Sequence, residues 1–180
     1  YHAVFKGSTA DQVFILENHA DVESLSTRES VASIELPKLN AVLNFDSTKK
    51  GSIDQIQLAN GKMPVEADEI AGPPALFERL DVVPEIGQKF QIPLRIQGGK
   101  VENYDFTITG ILEQTDISKL NVNETRLVYG AFVSEKFVEQ HIAPEDRTYT
   151  AYIRIVNENK HSKDEIETII SEIAEDVGLN

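Results

Sequence analysis

Leu58-Ala59-Asn60-Gly61-Lys62-Met63-Pro64, then Glu69-Ile70-Ala71, Gly87-Gln88-Lys89-Phe90 and Asp105-Phe106-Thr107-Ile108-Thr109-Gly110-Ile111-Leu112 follow one another within residues 58–112, and this stretch decides the fold. Its centre reads as a β-hairpin. Phe90, Ile92, Leu94 and Ile96 alternate with polar residues, and Tyr104, Phe106 and Ile108 do the same on the return, the period of strands with one buried face. A two-residue turn at Gly98-Gly99 would set Phe106 opposite Gln91 and put the two apolar rows on opposite faces. A five-residue loop, Gln97 to Val101, repairs this: Leu94 faces Tyr104, Ile92 faces Phe106 and Phe90 faces Ile108, unless a bulge shifts the pairing. Pro93 has no amide to donate, so its strand is expected at an edge, or with that position turned away from the ladder.

Outside this hairpin the pattern is mixed. Ile166, Ile169, Ile170, Ile173 and Val177 recur at helical spacing behind the capping box Ser162…Glu165. Thr9-Ala10-Asp11-Gln12 is a second capping box, followed by Val13, Phe14 and Leu16 and ended by the polar Asn18-His19. A third helix starts at Ser134, carries Phe137, Val138 and Ile142 inward and stops before Pro144; a short one spans Pro74 to Leu80. Strands are expected at Tyr1 to Phe5, Val22 to Thr27, Val31 to Leu36, Ala41 to Phe45, Ile53 to Leu58, Leu127 to Val133 and Tyr149 to Val156, with Asp46 to Ser52 a polar turn.

The N-terminus thus reads strand, helix, strand, and the C-terminus strand, helix. Two such half-units far apart in sequence predict an α+β fold: a split ferredoxin-like (porter-like) lobe built by residues 1–50 and 126–180, with a β-rich lobe, residues 51–125, inserted between them.

The order and content of the quoted motifs resemble the extracytoplasmic core domain of a MacB/FtsX-type ABC-transporter permease. There a "G-(R/K)-x-P" turn precedes an "E-I" strand, a "G-x-x-(I/F)" strand start and a "(F/Y)-x-I-x-G-I" strand end. The resemblance implies a bacterial transmembrane-transport component at the cell membrane, on its extracytoplasmic side. It also implies membrane helices flanking the chain, both termini facing the same bilayer surface, and an ATP-binding subunit or domain elsewhere as partner. The domain would couple ATP-driven conformational change to an exported substrate or outside partner by mechanical transmission, and a homodimeric full transporter stays open.

Composition bounds this reading. At 180 residues and 41% hydrophobic content the chain can bury a core as one domain or two small lobes, and no apolar run approaches the roughly 20 residues of a membrane helix. The piece is expected to be soluble and to derive from a longer chain. A net charge of −13, from 30 acidic and 17 basic residues, argues against nucleic acid or an anionic lipid surface as partner. With no Cys there is no disulfide, thiolate metal site or Cys nucleophile.

The motifs supply no catalytic, cofactor-binding or metal residue. His2, His19, His141 and His161 have no H-x-H or H-E-x-x-H spacing and read as surface histidines. Ser47-Thr48-Lys49-Lys50 matches S-x-x-K without an S-D-N or K-T-G companion, and no G-x-S-x-G, P-loop or G-x-G-x-x-G occurs. Glu66, Asp68 and Glu69 cluster at a turn but lack the alternating Asp/Asn pattern of a calcium loop. Asp164, Glu165, Glu167, Glu172, Glu175 and Asp176 read as the wet face of the last helix. Gln114 to Arg126, which contains the sequon Asn123-Glu124-Thr125, is a contact loop or a linker. A secreted or lipid-anchored, non-enzymatic module binding a peptide or glycan is the alternative; an exposed groove lined by Tyr104 or Phe106, with the termini apart, would favour it. A hydrolase would need a nucleophile and base that the sequence does not offer.

Overall fold

The computed structural model describes residues 2–52, 56–113 and 128–178. The chain is a mixed α/β structure that divides into two units: Tyr1–Glu29, Asp46–Gln55 and Pro144–Asn180 form the first, Ser30–Phe45 and Ile56–Ala143 the second. Ser30–Phe45 and residues 128–143, which the sequence assigned to the lobe of the chain ends, cluster with the middle of the chain. Each unit has its own apolar core.

In the first unit β1 (Ala3–Ser8) leads into α1 (Ala10–Glu17), whose start is the expected box: Thr9 Oγ1 accepts from the Gln12 amide and Gln12 Oε1 from the Thr9 amide. Val13 and Leu16 point inward, whereas Phe14 is 65% exposed. β2 (Val22–Ile34) follows, and β9 (Tyr149–Ile155) runs antiparallel to both β1 and β2, giving the order β1-β9-β2. The outer strand β1 slips register between Phe5 and Ser8, where Gly7 takes φ +67°. α4 (Lys163–Val177) is capped by Ser162 Oγ, which accepts from the Glu165 amide, and ends at Gly178 in the left-handed conformation. Its Ile173 and Val177 are buried, and Ile166, Ile169 and Ile170 pack on the same core with Leu16, Leu25 and Ile153. The six acidic side chains of this helix are exposed.

Two strands are longer than their sequences suggest. The strands expected at Val22 to Thr27 and Val31 to Leu36 merge into one that ends at Ile34, because the intervening Arg28 and Glu29 are each paired instead of turning out to water. β3 (Asn40–Lys50), hydrogen-bonded to β2, carries its pairing through the stretch from Asp46 that reads as a turn.

In the second unit the strand order is β3-β8-β5-β7-β4, formed by β4 (Leu58–Gly61), β5 (Glu69–Gly72), β7 (Val101–Leu112) and β8 (Val128–Val133) beside β3. β6 (Lys89–Ile96) pairs with β7 and, through Leu94 to Ile96, with the end of β2. α2 (Pro74–Arg79) buries Leu76 and Phe77, and α3 (Glu135–His141) buries Phe137 and Val138 behind its Ser134 cap. The chain leaves α3 at Ile142, which is extended, and Pro144 opens a short 3-10 turn.

The hairpin keeps the predicted faces but not the predicted register. Phe90 faces Phe106, Ile92 faces Tyr104 and Arg95 faces Val101, two residues away from the expected pairing. The turn is tighter than five residues: Gln97 and Gly98 both adopt positive φ, the Gly99 amide donates to the Ile96 carbonyl at 2.8 Å, and the Arg95 guanidinium holds the Gly99 carbonyl at 2.8 Å. A shift of two preserves the strand period, so the apolar rows still share a face. Pro93 pairs opposite Asn103, and its carbonyl accepts from the Glu35 amide at 3.0 Å.

Candidate functional site

The four sequence motifs close around one strand end. β5 lies parallel to β7, pairing Glu69 with Thr107 and Gly72 with Ile111, while β4 runs antiparallel on the other side. The Lys62 amide donates to the Thr109 carbonyl at 2.8 Å, the Gly87 amide to the Ile108 carbonyl at 2.8 Å, and the Thr107 amide to the Asp68 carbonyl at 2.7 Å. The glycines make the approach: a Cβ on Gly61, at φ +78°, would stand 2.1 Å from the Thr109 carbonyl oxygen and 2.6 Å from Ile86 Cδ1. A Cβ on Gly110 would stand 2.6 Å from the Lys62 carbonyl oxygen and 3.1 Å from Ala71 Cβ.

The acidic turn beside this junction satisfies itself. Glu69 Oε1 accepts from the Glu66 amide at 2.8 Å and the Val65 amide at 2.9 Å, and these bonds hold its carboxyl below the ordinary 4.5. The Glu66 carboxylate takes the Lys136 ammonium at 2.9 Å, while its carbonyl accepts from Ser134 Oγ at 2.8 Å. Amides thus occupy Glu69 Oε1, and an ammonium both carboxylate oxygens of Glu66. Among the described residues no group of three or more His, Cys, Asp or Glu gathers for a metal.

The aromatic residues of the hairpin build a ladder with those of α2 and α3. Phe77 meets Phe90 edge-on at 5.8 Å, Phe106 lies 5.6 Å from Phe137, and Tyr104 stands 6.0 Å from Phe137 and 5.2 Å from His141. Phe106 is buried, and Tyr104 is taken up by the side chains of α3. Burial pushes the His141 imidazole below its ordinary value, against a smaller pull upward from Glu102. Burial likewise raises the Tyr104 phenol, with the nearby Glu102 adding to it. The hairpin lines an open cleft of about 470 Å³ with Asp68, Lys89, Phe90, Gln91, Asp105, Phe106 and Thr107, where Gln91 donates to Asp105 at 3.2 Å. Phe106 borders this cleft but is only 2% exposed, and Tyr104 is not among the residues that line it.

The remaining candidates stay apart. Ser47 and Lys50 lie three residues apart in β3, which puts their side chains on opposite faces, and Lys50 Nζ donates to the His19 carbonyl at 3.1 Å. His19 pairs with Asp176 at 2.9 Å, His161 with Glu165 at 3.0 Å, and His2 with Glu158, so three histidines are held by carboxylates. The Gln114 to Arg126 connection and its sequon lie outside the described residues. Sequence reading missed two bidentate ion pairs, Arg28–Asp46 and Glu29–Arg147, every N···O contact 2.7 Å. Their only local signal is that apolar alternation resumes in step on both sides of Arg28-Glu29-Ser30.

By sequence, no family model matches the chain and no curated protein is similar to it. By fold, it is similar to the extracellular domain of the noncanonical ABC-type transporter YknZ from Gram-positive bacteria, with a TM-score of 0.53 and 11% identity over 98% of this chain and 94% of that one. It is also similar to the periplasmic region of MacB from Actinobacillus actinomycetemcomitans, with a TM-score of 0.53 and 10% identity over 98% of this chain and 83% of that one. The chain shares its fold with these two domains. In this fold the Gly61, Gly87 and Gly110 motifs are architectural: they seat β4, β5 and the start of β6 against β7. No helix among the described residues is long and apolar enough to cross a membrane.

Proposed function

We propose that this chain is the extracytoplasmic domain of an ABC-transporter permease, which couples ATP-driven change in the membrane and cytoplasm to an exported substrate or an outside partner. The observation that carries the proposal is the nearly end-to-end correspondence of fold with the YknZ extracellular domain, 98% of one chain against 94% of the other. The domain itself is non-catalytic in this reading, with ATP hydrolysis placed on a separate subunit or domain. Attachment to the cell membrane runs through helices flanking the chain.

Two lobes serve this role. The order β1-β9-β2, with α1 and α4 packed on the same core, supports a split ferredoxin-like lobe built from the chain ends. The middle of the chain supplies the inserted β-rich lobe.

The test is to express the full reading frame with single cysteines at exposed positions such as Lys100 and Glu167, label intact cells with a membrane-impermeant maleimide, and isolate the membranes. Labelling of both positions, with a P-loop ATPase co-purifying in detergent, is expected. Release of the protein into the medium, or labelling only after lysis, would refute the proposal.

A further inference from the structure

The chain passes from the first unit to the second at Glu29/Ser30 within β2, returns at Phe45/Asp46 within β3, passes again at Gln55/Ile56 and returns at Ala143/Pro144. Residues on the first-unit side of three of these four crossings, those at Glu29, Asp46 and Pro144, are tied to one another. Arg28 Nε and Nη2 donate to the two Asp46 carboxylate oxygens, each at 2.7 Å. Arg147 Nε and Nη2 donate to the two Glu29 carboxylate oxygens, again each at 2.7 Å.

We propose that these two guanidinium–carboxylate pairs form a bracket that joins these three segments of the first unit into one mechanical element, so that Glu29, Asp46 and Arg147 shift together or not at all. Three features support this. Arg28 and Glu29 are adjacent in a strand and point to opposite faces, so β2 is gripped from both sides. The β2–β9 ladder ends at Arg28 opposite Thr150, and Arg147 takes hold of the next residue, where the ladder stops. The Glu29 side chain is only 3% exposed and that of Arg147 13%, so the pair has no water to replace a lost partner. A two-pronged fork also resists sliding better than a point charge: a slip of one residue, about 3.3 Å, breaks both of its bonds at once. The Arg147 guanidinium further sits over the Tyr149 ring, 5.6 Å from its centroid, which ties the bracket to β9. The bracket exists in this chain whatever the domain serves.

Backbone amide exchange of the 180-residue chain tests it. Glu29→Leu combined with Arg147→Met keeps apolar volume and removes the fork; Arg147→Lys keeps the charge and removes only the second prong. In the double variant, exchange at residues 28–32, 44–47 and 147–150 is expected to rise together by about tenfold or more, while 166–174 in α4 stays unchanged. Should the double variant fail to fold, Arg147→Lys is expected to give the same three-site pattern at lower amplitude. A rise confined to 147–150, a uniform rise that includes α4, or no rise at all would overturn the bracket.

Discussion

Gly61 and Thr109 approach so closely that the place of a Gly61 Cβ lies 2.1 Å from the Thr109 carbonyl oxygen, while the neighbouring Lys62 amide donates to that same oxygen at 2.8 Å. Gly61→Ala therefore has to break this contact or move β4, and the residue must also hold φ +78°. A loss of about 3 kcal/mol or more is expected. Gly98→Ala, at φ +76° with nothing within 4 Å, isolates the backbone cost and should lose only about 1 kcal/mol. Chemical denaturation of both variants checks this, and equal losses would discard the steric explanation.

Removing one partner of the buried pair should cost far more than removing an exposed one. Arg147→Met is expected to lose about 3–5 kcal/mol, because it leaves the Glu29 carboxylate buried without its cation. Lys136→Met, which breaks the exposed pair with Glu66, should stay within about 1 kcal/mol. Urea midpoints of the two variants decide it.

Acid should act through two groups in different windows. His141 has a depressed folded pKa, so the unfolded chain takes up its proton first: stability is intact above the ordinary 6.5 and is lost as pH falls below it, towards the folded value. Glu69 is also depressed, but as an acid. Its contribution is present above 4.5 and is lost as pH falls further, through its folded value. In Tm measured from pH 7.5 to 3, His141→Gln should flatten the upper limb and Glu69→Gln the lower one. Unchanged slopes in both variants would contradict the assignment.

The caps offer a graded comparison. Thr9→Ala removes an exposed capping bond and should cost about 1 kcal/mol. Ser134→Ala removes two bonds of a buried hydroxyl, one accepted from the Phe137 amide and one donated to the Glu66 carbonyl, and about 2 kcal/mol is expected. Thermal unfolding of each variant should preserve this order.

What the sequence revealed was local. Thr9, Ser134 and Ser162 announced helix starts because a cap needs only a side-chain oxygen and an amide three residues on. The faces of the hairpin followed from alternation, but its register depended on Gln97 at positive φ, a conformation that a non-glycine residue does not advertise. The continuity of β2 was hidden for another reason. Arg28-Glu29-Ser30 has the composition of a break, and the groups that neutralise it, Asp46 and Arg147, lie 18 and 118 residues away. At the motif turns the glycines were visible from the start; that Gly61 and Gly110 serve the same junction required the pairing of β4 with β7.

The two-residue offset of the hairpin bears on how this fold can change over time. Because side chains alternate, lengthening or shortening the Gln97-Gly98 turn by two residues leaves Phe90, Ile92, Tyr104 and Phe106 facing the core, whereas a change of one turns one of these rows into water. Insertions and deletions at this tip are therefore filtered by parity, and relatives that differ in the length of this turn should differ by even numbers of residues or carry a compensating bulge.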